Sequence, residues 1–294
     1  MPLNINTNTA ASSASYYLSK NNASLQKSLN RLSSGSRITQ PADDAGGLAV
    51  SMKLRGTISR LSGVEKNIDN AISFLQVQDG VLESAGKILD RMAELKALSQ
   101  DVLKNSSDIA NYNSEFKNLQ VQLYQSSETK FNGVSLFATT NSTGNATFNT
   151  VGSGNTVSIF TSATGESGSI VSINKSTMLA ALTIEASSVS TKKTFQDATT
   201  TGTFSFGAAT VGAPFNLGDV SVAVFTQALQ NVATLRAENG GSVSRLQFAK
   251  ESAGQQRTNL EAANGRIMDV DIARESTQLA KFNILVQASA CVCL

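Results

Sequence analysis

Leu54, Leu61, Ile68, Leu75, Leu82 and Leu89 stand seven residues apart, and Val64, Ala71, Ala85 and Met92 add a second row three residues later in the heptad. A stripe with that period belongs to a helix that buries one narrow face against another helix. No proline interrupts the chain between Pro41 and Pro214. One helix can therefore run from about Ala45 to Leu103, and at about 1.5 Å per residue it reaches roughly 90 Å. A helix of that length cannot bury its stripe alone.

The far end of the chain offers a partner. Val232, Leu246, Ala253, Leu260 and Ile267 share one heptad register, with Asn239 in the missing place just before the weak point Gly240-Gly241. The phase then slips, and a new register starts with Ile272, Leu279, Val286 and Cys293. A slip of this kind breaks a continuous seam. The N-terminal end mirrors it: Leu18, Leu25 and Leu32 form a short run that dies at Ser33-Ser34-Gly35, and the Leu54 register begins only after PADDAGG. Pairing short with short and long with long brings the two chain ends together. A further helix follows the capping cluster Ser106-Ser107-Asp108, with Ile109, Tyr112, Phe116, Leu119 and Leu123 on one face. It ends at TKFNGVSLF, where Asn132-Gly133 signals a turn with β-formers after it.

An ordinary helical bundle would carry the same stripes. The terminal segments argue against it, because Asn6, Asn8, Asn21, Asn22 and many Ser and Thr dilute their apolar positions. Ordering such segments costs more conformational entropy than two helices return. The missing contacts must come from other chains.

Between about 138 and 213 the composition turns to Ser, Thr and Gly. NTVSIF, SIVSI and TFSF read as short strands, with GESG as a turn between the first two. The competing reading is an unstructured Ser/Thr linker. The fold expected is mainly α with a small β-rich insertion, built as a long antiparallel coiled-coil rod from both chain ends. Its domains are discontinuous: 1–44 plus 269–294, 45–137 plus 214–268, and a surface-exposed insertion at 138–213.

Composition removes many functions. With 24 basic and 22 acidic residues the net charge is only +2, which gives a polyanion little to follow, so nucleic acid is not an expected partner. No histidine is present, which excludes Ser-His-Asp and Cys-His catalysis and any His-ligated metal; no enzyme activity and no cofactor are expected. The opening MPLNINTNTAASSASYY lacks the marks of a secretory signal, and no stretch has the roughly 18 apolar residues of a membrane span. If the chain leaves the cell, the general secretory route does not carry it. Cys291 and Cys293 sit in the final CVCL, which matches a prenylation pattern formally. Their plainer reading is as small apolar helix residues, with oxidation or intermolecular pairing as the alternative.

INTNTAASSASYYLSKNNASLQKSLNRLSSGSRITQPADDAGGLAVS, NIDNAISFLQVQDGVLE, TKFNGVSLF and NLEAANGRIMDVDIARESTQLAKFNILVQASA together resemble bacterial flagellin. The likeness covers about the first 137 and the last 60 residues. It implies a subunit that polymerises into the flagellar filament for swimming. Terminal helices would line the inner core through Leu18, Leu25, Leu32, Ile272, Leu279 and Val286. A surrounding shell would be built on Leu54, Leu61, Ile68, Leu75, Leu82, Leu89, Leu246, Leu260 and Ile267, and the insertion would project outward. A spoke at 33–44 would join the layers, with Gly35 reversing the backbone, Pro41 in the bend, and Asp43 and Asp44 near the positive end of the long helix. Asp269 and Asp271 would stand on its other strand as solvated caps, since a catalytic carboxylate pair needs a pocket that nothing here implies.

The resemblance also implies partners. They are the chain itself, the flagellar export apparatus and its chaperone, the cap and hook-associated proteins, and an innate-immune Toll-like receptor at Arg91, Leu95 and Glu115. Contact between neighbouring rods is the plainer role for those three. The implied mechanism is folding coupled to assembly: ends stay extended during export through the flagellum's own channel and order on neighbouring subunits. Buried interface should exceed roughly 2,000 Å². The sequence departs from the family at its end, where about a dozen residues of apolar helix normally follow, and at Arg274, where an acid is frequent. Two other readings share these features: a hook-filament junction protein, and a surface adhesin whose insertion binds glycans.

Overall fold

The computed structural model describes residues 9–138, 156–185, 203–205 and 216–293. Asn6 and Asn8, most of the Ser/Thr-rich stretch, and the side chains of Cys291 and Cys293 lie outside the described residues. Among the described residues six α-helices dominate: α1 Thr9–Ser34, α2 Ala45–Ser99, α3 Ser106–Ser127, the short α4 Met178–Ala181, α5 Val222–Met268 and α6 Ile272–Cys293. Three two-stranded antiparallel sheets accompany them. They pair β1 Lys130–Phe131 with β2 Val134–Ser135, β3 Thr156–Phe160 with β4 Ile170–Asn174, and β5 Thr183–Glu185 with β6 Thr203–Ser205.

Contacts divide the chain into two compact units, Met1–Ser62 with Gly254–Leu294, and Gly63–Ala253. The division falls inside α2 and α5, whose ends at Ala45 and Met268 coincide with the expected limits between the first two domains, and the described part of the insertion belongs to the second unit.

In the first unit α1 and α6 pack together. They run antiparallel, with Asn21 Nδ2 donating to Ser289 Oγ at 3.4 Å and Ser36 bridging Asp269. Ser51 Oγ of α2 donates to Asn264 Oδ1 of α5 at 2.7 Å.

In the second unit the α2 heptads are a true core face: Ile68, Leu82, Ala85, Leu89 and Met92 are fully buried and Leu75 nearly so. Against it runs α5, antiparallel, with Lys250 on Asp69 at 2.6 Å and Arg236 on Asp79 at 2.8 Å. From α3, Phe116 meets Phe225 of α5 edge-on, with ring centres 6.1 Å apart. The Asn132-Gly133 turn has φ of 48° and 80°, the left-handed pair that a two-residue hairpin demands, and it sets Phe131 edge-on to Phe74.

Four expectations need correction. The long helix stops at Ser99 rather than Leu103, because Asp101 starts an Asx-type turn by accepting the Leu103 N–H at 3.0 Å. The cap of α3 is Asn105, not the Ser106–Asp108 cluster; Asn105 and Asp108 exchange side-chain and backbone bonds in a capping box. Within that helix Phe116 and Leu123 are buried, whereas Ile109 is exposed and Gln120 is buried in its stead. Finally, the insertion is not wholly at the surface. Ile173, Met178, Ala181 and Leu182 are buried, and Ala138 N–H bonds the Ser176 carbonyl at 3.2 Å.

Candidate assembly surface

The bend between α1 and α2 is built from a few local rules. Gly35 ends α1 at φ +68°, a conformation that favours glycine, and its carbonyl accepts the Val270 N–H at 3.1 Å. Arg37 N–H then bonds the Met268 carbonyl at 2.6 Å, so two short strands face each other across the Ser36–Asp269 bridge. Gln40-Pro41-Ala42-Asp43 turns with Pro41 at the second place, closed by Asp43 N–H on the Gln40 carbonyl at 2.9 Å.

Asp43 is the bend's electrostatic centre. Its side chain is 8% exposed, pairs with Lys27 and, at 3.8 Å, with Arg31, and accepts from Thr39 N–H and Oγ1 at 3.2 and 3.1 Å. The Lys27 hydrogen bond, helped by those from Thr39, holds its pKa far below the usual aspartate value despite burial. Asp44 and Asp271 both cap helices: Gly47 N–H donates to Asp44 Oδ1 at 2.8 Å, and Arg274 N–H to Asp271 Oδ1 at 3.2 Å. Asp269 contributes its backbone, donating to the Gly265 carbonyl at 2.8 Å.

Sequence reasoning missed three residues here. Ile38 is buried beneath the turn. A Cβ on Gly47 would collide with the Asp44 carboxylate, and one on Gly265 would lie 2.7 Å from Asp269 Oδ2. The signal for the glycines was their spacing of three and four residues from an acid.

The expected inner-core residues share one property. Leu18, Leu25, Leu32, Leu279 and Val286 are half-buried and Ile272 is 65% exposed. Among the described side chains of α1 and α6 only Ser28 and Glu275 are buried, and both are polar. The two helices pack without an apolar core. Tyr16, Tyr17, Leu29 and Ile284 add exposed apolar surface.

The expected shell residues divide by unit. Ile68, Leu75, Leu82, Leu89 and Leu246 are buried in the second unit. In the first, Leu61 is buried while Leu54, Leu260 and Ile267 are only half-buried. Buried polar groups interrupt the stripes. Gln78 donates to the Leu136 carbonyl at 2.7 Å, and Asn239 accepts from Ser176 Oγ at 3.4 Å.

Arg91 reaches Glu115 and Glu94, both at 2.8 Å, and Glu115 first, then Glu94, raises the guanidinium pKa. Leu95 departs from the surface place expected of it: it is fully buried. The heptad rows leave it out, yet it follows Met92 by three residues on the same face. Among the described residues no helix is long and apolar enough to cross a membrane.

A family model described as the bacterial flagellin N-terminal helical region matches residues 5–142, and one described as the C-terminal helical region matches 222–293. The chain is 32% identical to the flagellin of Bacillus subtilis over 290 residues, covering 98% of this chain and 94% of that one. It is 31% identical to the flagellar filament 30.7 kDa core protein of Treponema maltophilum, covering 97% and 93%. Against the flagellin of Listeria monocytogenes the identity is 29%, covering 98% and 93%. These likenesses span both helical ends and the stretch between them, and the chain therefore belongs to the bacterial flagellin family, as a structural subunit of the flagellar filament.

Proposed function

We infer that the chain assembles by coupled folding, its terminal helices α1 and α6 ordering only when neighbouring copies cover them. The observation that carries this is the missing core: α1 and α6 bury Ser28 and Glu275 and no described apolar side chain. A helix pair of that kind gains too little to offset its ordering entropy in isolation. Copies stacked side by side would supply the area, above roughly 2,000 Å² per obligate interface. In this reading α1 and α6 line the filament's interior, a shell built from 45–137 and 214–268 surrounds them, and the insertion 138–213 projects outward.

The reading includes export of the extended chain through the flagellum's own channel, with a chaperone guarding the ends and cap and hook-associated proteins meeting the last subunits. The exposed Arg91–Glu115 pair supports contact with a neighbouring subunit or an innate-immune Toll-like receptor, without Leu95. Asp269 and Asp271 serve the bend as backbone pair and helix cap rather than as catalysts.

The test is Leu25→Glu beside Leu279→Glu. Each should leave the monomer's thermal transition unchanged and stop seeded filament growth. Normal growth by both variants would overturn the reading.

A further inference from the structure

Two opposite charges line one cavity at the bend, and each has a buried atom without a partner. The cavity, of about 520 Å³, lies where the end of α1, the bend, the end of α5 and the start of α6 meet. Arg31, Asp43 and Glu275 all face it. Glu275 is 7% exposed, and its Oε1 is shut off from solvent and accepts no hydrogen bond. The Nε of Arg31 is shut off in the same way and donates none. A carboxylate in that position has given up water and received nothing in return. Glu275 sits in the first turn of α6, where the helix's positive end favours its charge. That field still supplies no proton to Oε1.

Four arginines line the cavity, and three of them are poorly placed to help. Arg37 is half exposed and reaches Asp44 at 3.9 Å. Arg266 and Arg274 are exposed, and Arg274 adjoins Glu275 on a helix, where successive side chains do not face each other. Arg31 remains. Its contact with Asp43, at 3.8 Å, is longer than a hydrogen bond. Asp43 already has Lys27 and two bonds from Thr39, so it stays satisfied without Arg31. Exposed Arg37 and Asp44 on the cavity's lining let water reach it in the isolated chain. Neighbours that cover α1 and α6 remove that water, and the unpaired carboxylate then becomes more costly.

We propose that Arg31 exchanges Asp43 for Glu275 as neighbouring copies close over α1 and α6, so that the cavity becomes a latch between the end of one helix and the start of the other. This rests on the coupled-folding reading above and names one step within it. Arg31 rests on Asp43 while the cavity is open, and on Glu275 once it is sealed.

The experiment compares Glu275→Gln, Arg31→Gln and the double variant with the parent chain in seeded growth. Glutamine keeps the size of Glu275 and removes its charge, so the sign of the effect decides. A carboxylate that stayed unpaired in the filament would make Glu275→Gln lower the critical concentration or leave it unchanged. The exchange predicts a rise of at least about tenfold, and a larger rise for Arg31→Gln, which strands a buried carboxylate. The double variant should fall back to the level of Glu275→Gln alone. A filament map should show an Arg31 nitrogen about 2.8 Å from a Glu275 oxygen. Glu275→Gln growing at or below the parent's critical concentration, or a double variant whose rise is the product of the two single rises, overturns the exchange alone. A lowered thermal transition of the Glu275→Gln monomer also overturns it, since the pair would then exist in the free chain. Normal growth by both Leu25→Glu and Leu279→Glu overturns coupled folding and the exchange with it.

Discussion

Asp43 shows how one side chain can tie a helix to a bend. Its carboxylate serves Lys27 and Arg31 of α1 together with Thr39 of its own turn. Its pKa is lower in the folded state, so the stabilisation is complete above the unfolded value of about 3.9 and is lost as pH falls through the lower folded one. If α1 orders on assembly as proposed, Asp43→Asn should barely change the monomer. It should cost the filament about 1–2 kcal/mol per subunit, seen as a lower depolymerisation temperature, and should remove part of the acid dependence of that temperature. Lys96 behaves in the opposite sense. It is buried with Nζ donating to the Leu217 carbonyl at 2.9 Å, and burial lowers its pKa. The unfolded state therefore holds the proton more tightly, and stability of the second unit should rise as pH climbs toward the ordinary lysine value of about 10.4. Thermal melts from pH 8 to 10 check this, and Lys96→Met should flatten the rise. Gln78, fully buried, gives its amide proton to Leu136. Gln78→Met leaves that carbonyl unsatisfied and should cost about 1–3 kcal/mol in the same melts.

At the scale of elements, α1 and α2 carry similar heptads to different ends. Leu82 is fully buried, so Leu82→Ala should destabilise the monomer by about 2–5 kcal/mol. Leu25 is half-buried on α1, and Leu25→Ala should leave the monomer's unfolding midpoint within experimental error. Gly35→Ala forces an alanine to φ +68° with no clash around its Cβ, so it should cost the filament about 1 kcal/mol through backbone strain alone. The heptads made α1, α2, α5 and α6 legible because each has one apolar face, and the loss of phase after Ile267 marked the break at 269–271. Less visible were elements that lack a period. β5 is three residues long, and Gln78, Gln120 and Asn239 sit in core places that a count of apolar side chains skips. Met178 and Leu182 were hidden by the Ser- and Thr-rich composition around them. At the bend Gly35, Asp43 and Asp44 stood out by type and position. Ile38, Gly47 and Gly265 did not, because their roles depend on neighbours brought together by folding.

For the whole molecule, stability is unevenly distributed, and the distribution serves assembly. The second unit has a hydrophobic core made by α2, α3 and α5, so it can fold before any neighbour arrives. The α1–α6 pair has charged ties at the bend and half-covered leucines, so it waits for neighbours. A filament subunit with ends of this kind stiffens once it is joined. Hydrogen exchange, read segment by segment on dilute monomer and on filament, tests this most directly. Amides of 9–34 and 272–290 should exchange almost freely in the monomer while 64–96 and 222–253 are protected, and all four segments should be protected in the filament. Equal protection of 9–34 and 272–290 in monomer and filament would contradict it.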